Sequence, residues 1–196
     1  MNKQHKSFKK SLYFFLASLI FFSSFIRYLP IPLQRGDSWV TYYSSVEILK
    51  FGAIPWILSP LSYMGWFPFS MPSGLMVLIA VLSTITDLSV DSIAYIFSHF
   101  LGVFSLFAMF LLVRVFTRSN LVLIFSLVNL STFHYFVSGT YENISARGFF
   151  VTMTLFVTFI LLKNFRGGFL SKYTLLSPIS LLILISIHRS VLLYFL

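Results

Sequence analysis

Apolar runs of about 20 residues, parted by short basic segments, limit what this chain can fold into. They lie at 11–29, 92–113, 121–137, 148–162 and 175–196. A helix needs roughly 20 mostly apolar residues to cross the hydrocarbon of a bilayer, so each run is a candidate span. A sixth run, Gly74–Thr86, is shorter and lies between Pro72 and the acidic pair Asp87 and Asp91. Its length suits an interfacial helix better than a crossing. The expected fold is all-α: a polytopic transmembrane helical bundle of five spans with one interfacial juxtamembrane helix.

Composition agrees. Charged residues make up 10% of the chain and hydrophobic ones 58%, whereas soluble domains carry about 25% charged residues. The 25 Phe suit lipid-facing and bundle-packing surfaces. The absence of Cys excludes disulfides and thiolate chemistry. A net charge of +9 raises the question of nucleic acid, but the cations form no continuous basic face. Lys3, Lys6, Lys9 and Lys10 precede the first apolar run, the pattern that holds an N-terminus in the cytoplasm. That run is longer than a signal-peptide core and no small-x-small cleavage site follows it, so it reads as an uncleaved span.

Charge bias sets the orientation. With five spans and a cytoplasmic basic segment at 1–10, nine of the 14 cations fall inside: those four lysines, Arg114, Arg118, Lys163, Arg166 and Lys172. Promoting Gly74–Thr86 to a sixth span would move Arg114 and Arg118 outside and weaken the bias. The five-span arrangement also leaves every acidic residue (Asp37, Glu47, Asp87, Asp91 and Glu142) on the outer face. Carboxylates hardly influence orientation, so their common side points to outward-facing chemistry.

Two outer loops matter, at 30–91 and 138–147. In the first, Trp39, Tyr42, Tyr43, Val46 and Leu49 recur at three- and four-residue steps, predicting a helix over 38–51. Asp37 or Ser38 would cap it and Gly52 would stop it. The aromatic, Pro-rich stretch 55–72 would then lie at headgroup level. Taken alone, Asp37 suits an N-cap better than its alternative, a carboxylate that activates an acceptor hydroxyl or holds a divalent cation such as Mg or Mn. Glu142, in the second loop, is either a partner carboxylate or an acid stabilised by the dipole of the following helix. His188 and Arg189 stand inside the last apolar run, where ionisable groups are costly and mark functional candidates. Arg35 and Arg147 flank the two acids and could take a phosphate. His99 and His134 suit hydrogen bonds within the bundle better than a metal site.

The order of these features resembles the GT-C superfamily of membrane glycosyltransferases, such as protein O-mannosyltransferases and oligosaccharyltransferase catalytic subunits. Arg35-Gly36-Asp37-Ser38-Trp39 stands where that family carries an acidic residue early in its first outer loop. Phe67-Pro68-Phe69-Ser70-Met71-Pro72, with Gly74–Thr86 and Leu88-Ser89-Val90-Asp91 after it, looks like the family's entry to its juxtamembrane helix. Ser138-Gly139-Thr140-Tyr141-Glu142-Asn143 looks like a loop of oligosaccharyltransferase subunits, with Ile144 at the second acidic position. His188-Arg189 resembles a polar pair of the fifth span. The resemblance implies sugar transfer from a polyprenyl-phosphate-linked donor on the extracytoplasmic face of the plasma membrane. Asp37 and Glu142 would be catalytic, and Arg35, Arg147, His188 and Arg189 would bind phosphate. The donor's tail would lie in a groove among Phe-rich helices, and the acceptor, whether protein, glycan or lipid, is not implied. Because the chain ends within an apolar run, it also reads as the N-terminal portion of a larger module. A transporter or lipid flippase, or a non-catalytic or truncated membrane protein, would share the hydrophobic pattern.

Overall fold

The computed structural model describes residues 14–25, 36–53, 74–133, 137, 140, 144–167 and 173–187. Within them lie seven helices and no strand: α1 (Phe14–Phe25), α2 (Gly36–Phe51), α3 (Gly74–Thr86), α4 (Val90–Phe116), α5 (Asn120–Thr132), α6 (Ala146–Gly167) and α7 (Leu176–Ile187). The all-helical expectation therefore holds for the described residues. Two helices, α4 and α6, are long and apolar enough to cross a membrane. Helices α1, α5 and α7 fall within or close to the other three expected runs but are shorter. The Pro-rich stretch 55–72 lies outside the described residues, as does His134.

Local chemistry sets several helix ends, of which the Gly52 stop is the one read from the sequence. Ser89 caps α4 by accepting from Ser92 N, and Ser119 caps α5 by accepting from Val122 N. Helix α2 stops at Gly52, whose φ of 66° is the left-handed conformation that glycine adopts without a Cβ penalty. Its amide returns to the Ile48 carbonyl at 2.8 Å. At the far end of α4, Arg166 Nη1 donates to the Val115 carbonyl at 2.6 Å, satisfying one of the last carbonyls that the helix leaves open.

Helix directions follow from the contacts. Phe97 meets Phe149 and Phe104 meets Phe156, so α4 and α6 run parallel. Arg114 reaches Asn120 while Leu106 packs in one cluster with Leu127, so α5 returns antiparallel to α4. Phe159 meets Tyr173 and Asn164 accepts from Thr174, so α7 returns antiparallel to α6. Apolar contacts place α1 in the cluster built by α4 and α5. These alternating directions match successive passes through one layer.

What faces inward is unusual for a protein folded in water. Ser83, Ser98, Ser105, Thr152, Ser177 and Ser180 are buried, while Phe100, Phe107, Phe125 and Leu121 are exposed. Small hydroxyl residues thus share the interior with Leu, Ile and Phe, a mixture that suits helices packing in lipid, where small residues permit close approach. Helix α2 also buries its hydroxyl residues. Ser38, Thr41, Ser44 and Ser45 form its buried face, whereas Trp39, Tyr43 and Leu49 of the predicted apolar stripe are exposed. Only Tyr42 and Val46 of that stripe pack against the core.

Candidate functional site

One end of the bundle gathers the segments that carry the predicted site residues. Its core joins Leu75 and Ile79 of α3, Val90, Ile93, Ala94 and Phe97 of α4, Ile144, Phe149 of α6 and Ile187 of α7. Tyr42 and Val46 bring α2 against the same cluster. The start of α2, the segment entering α6 and the end of α7 therefore share one neighbourhood.

A long-range hydrogen bond fastens two of them. Ile144 N donates to Ser38 Oγ at 3.0 Å across 106 positions of sequence, and both residues are fully buried. Sequence reading offered Ser38 as a local cap. The structure instead begins α2 at Gly36, which puts Asp37 and Ser38 in the first turn, and gives the Ser38 hydroxyl a tertiary partner. The reason is the close approach of the segment entering α6, whose amide would otherwise be buried without an acceptor. Lower on α2, Ser45 Oγ lies within hydrogen-bond distance of the Thr41 carbonyl (2.7 Å) and the Met76 carbonyl of α3 (3.1 Å). The hydroxyls at 38, 41 and 45 fall on one helical face, a signal present in the sequence but outweighed by the aromatic periodicity.

Exchange of Ser38 for Ala removes the acceptor and strands a buried amide. The expected loss is about 1 kcal/mol, near the range for an orphaned donor and above the ~0.6 kcal/mol average for hydrogen bonds between membrane helices. Reversible unfolding in mixed micelles measures it, and an unchanged midpoint would remove the bond from the fold's support.

Asp37 is placed by its backbone in the first turn of α2; its side chain lies outside the described residues, as do Arg35, Glu142, His188 and Arg189 in full. Arg147 is exposed in the first turn of α6, and its neighbour Ser145 caps that helix by accepting from Gly148 N at 3.2 Å. Ile187, the residue before His188, is buried in the shared core, and Ser186 presses its backbone against Gly74 of α3. His99 is spent locally: its Nδ1 lies 2.9 Å from the Tyr95 carbonyl one turn earlier, with the two rings 4.4 Å apart. Among the described residues, no three His, Cys, Asp or Glu side chains come together as metal ligands.

Ile144 bears on the loop's chemistry. At the position where the resembled loop would carry a second acid, this chain places a fully buried apolar side chain in the core. A carboxylate there would need a paired cation or would be neutralised. The segment 141–144 thus offers one acid, Glu142, and uses the other position for packing. Comparison with known proteins finds no matching family model, no similar curated protein and no similar solved structure.

Proposed function

We propose that the chain is an integral membrane protein that transfers a sugar from a polyprenyl-phosphate-linked donor to an acceptor on the extracytoplasmic face, as a GT-C-like glycosyltransferase with a cytoplasmic N-terminus in the plasma membrane. The five apolar helices α1, α4, α5, α6 and α7 are its spans. The observation that carries the reading is the Ser38–Ile144 hydrogen bond. It ties the residue after Asp37 to the residue two after Glu142. Ile187, just before His188 and Arg189, belongs to the same core.

In this reading Asp37 takes the proton of the acceptor hydroxyl as its oxygen bonds to the anomeric carbon. The bond from that carbon to the donor phosphate breaks, and polyprenyl phosphate or diphosphate leaves. Arg147 and Arg189, with Arg35 and His188, stabilise the departing anion by charge-assisted hydrogen bonds. Glu142 orients the acceptor. The Phe-rich helices α4 and α6 flank the prenyl chain beneath. With Ile144 in the core, Asp37 and Glu142 are the carboxylates that this reading offers a cation. Mg²⁺ sites commonly use one or two carboxylates with water and substrate phosphate, so the pair suits such an ion, which would screen the donor's charge.

Membranes containing the protein, incubated with labelled polyprenyl-phosphate sugars, should move label into protein, glycan or lipid. Label remaining wholly in the donor across the common hexose and pentose donors would overturn the assignment. Movement of intact donor between leaflets without transfer would favour a flippase.

A further inference from the structure

At the other end of the bundle, α1, α4 and α5 enclose an open groove of about 400 Å³ whose lining is entirely apolar. Leu16 and Leu19 form one wall, and Phe100, Phe104, Phe107 and Phe110 run along the other. The groove ends under a cation: the Arg114 guanidinium lies 5.7 Å from the centre of the Phe110 ring. Two neighbours hold that guanidinium in place. Its Nη1 donates to the Arg118 carbonyl at 2.9 Å and its Nη2 donates to Asn120 Oδ1. A guanidinium carries five N–H donors, so others remain for a ligand.

Charge around this end has one sign. Arg114 and Arg118 are joined there by Arg166, which donates to the last turn of α4. The positive end of the α5 dipole begins at Asn120. The described carboxylates lie elsewhere: Asp91 opens α4, about 35 Å along the helix axis from Arg114. Asp87 precedes it, and Glu47 belongs to α2. An apolar trough ending in a fixed, unneutralised guanidinium matches a molecule with a hydrocarbon chain and an anionic phosphate head.

We infer that the α1–α4–α5 groove is a binding site for an anionic phospholipid of the cytoplasmic leaflet, one acyl chain lying along the Phe wall and the phosphate on Arg114. The inference rests on the bilayer placement and orientation proposed above but not on sugar transfer, so loss of the transfer assignment leaves it standing. Arg114 supplies two or more charge-assisted bonds in fixed geometry, and the groove supplies chain specificity.

The test uses the full chain in nanodiscs of phosphatidylcholine alone or mixed with phosphatidylglycerol. Retained lipid is quantified by mass spectrometry after a mild detergent wash, and thermal unfolding is followed in parallel. Phosphatidylglycerol should be retained about tenfold or more over phosphatidylcholine, in keeping with hydrogen bonds to a charged group, and should raise the unfolding midpoint. Arg114→Gln should abolish the preference. Val103→Trp, which fills the groove and leaves the cation untouched, should release the lipid too and decides the matter should the Gln variant fail to fold. Inorganic phosphate should not shift the midpoint. The inference is overturned by a preference that survives in Val103→Trp or by an equal shift with inorganic phosphate.

Discussion

Replacing Asp37 by Asn should cut sugar transfer by about 10²-fold or more, the usual worth of a general base, with the helices intact. Asn keeps the size of the side chain and its hydrogen-bonding carbonyl but cannot take the acceptor's proton. The backbone there is well anchored: Asp37 lies in the first turn of α2, and the next residue holds the Ile144 amide. That bond is made by Ser38, so the substitution leaves it in place. Stability should fall by no more than the ~0.3–1 kcal/mol that a negative charge contributes near a helix N-terminus. Initial rates with labelled donor, compared with gel-filtration profile and unfolding midpoint, separate the two effects. A variant with the parent rate would sink the catalytic role of Asp37.

Gly74→Val should be the most disruptive single change to the fold. A Cβ at position 74 would sit 2.5 Å from the Ser186 carbonyl oxygen and 2.9 Å from its carbonyl carbon. These are backbone atoms of α7 and cannot swing aside as a long side chain would, so α3 and α7 must part. Overpacking costs roughly 1–3 kcal/mol and sometimes more, and Val adds two further methyl groups to a contact already closed to one. Because Ser186 lies two residues before His188, the displacement should also lower transfer. Unfolding in mixed micelles and the rate assay check both, and Gly74→Ala should show a smaller form of the same loss. Near-parent stability in the Val variant would mean that α3 and α7 do not approach this closely.

Some helix limits were legible because their signals are local: Gly52 ends α2 through its left-handed φ, and α3 occupies the run Gly74–Thr86 as read. The caps Ser89 and Ser119 start α4 and α5 a residue or two before the apolar runs that were read. The orientation of α2 was not legible. Its aromatic stripe outweighs its hydroxyl stripe on any scale that takes water as the solvent, and it is the hydroxyl stripe that is buried. The role of Ser38 was hidden as well, since a serine beside a helix start reads as a cap until its distant partner is placed.

Apolar runs decided, from the chain alone, that the described residues are helical and roughly where each helix lies, because backbone hydrogen bonding acts over a few residues. Which segments meet was left to the tertiary structure. The Ile144 amide finds Ser38 across 106 positions, and Gly74 finds the backbone of Ser186. Such pairings depend on how closely small residues let helices approach, a property of two surfaces together that neither surface records by itself.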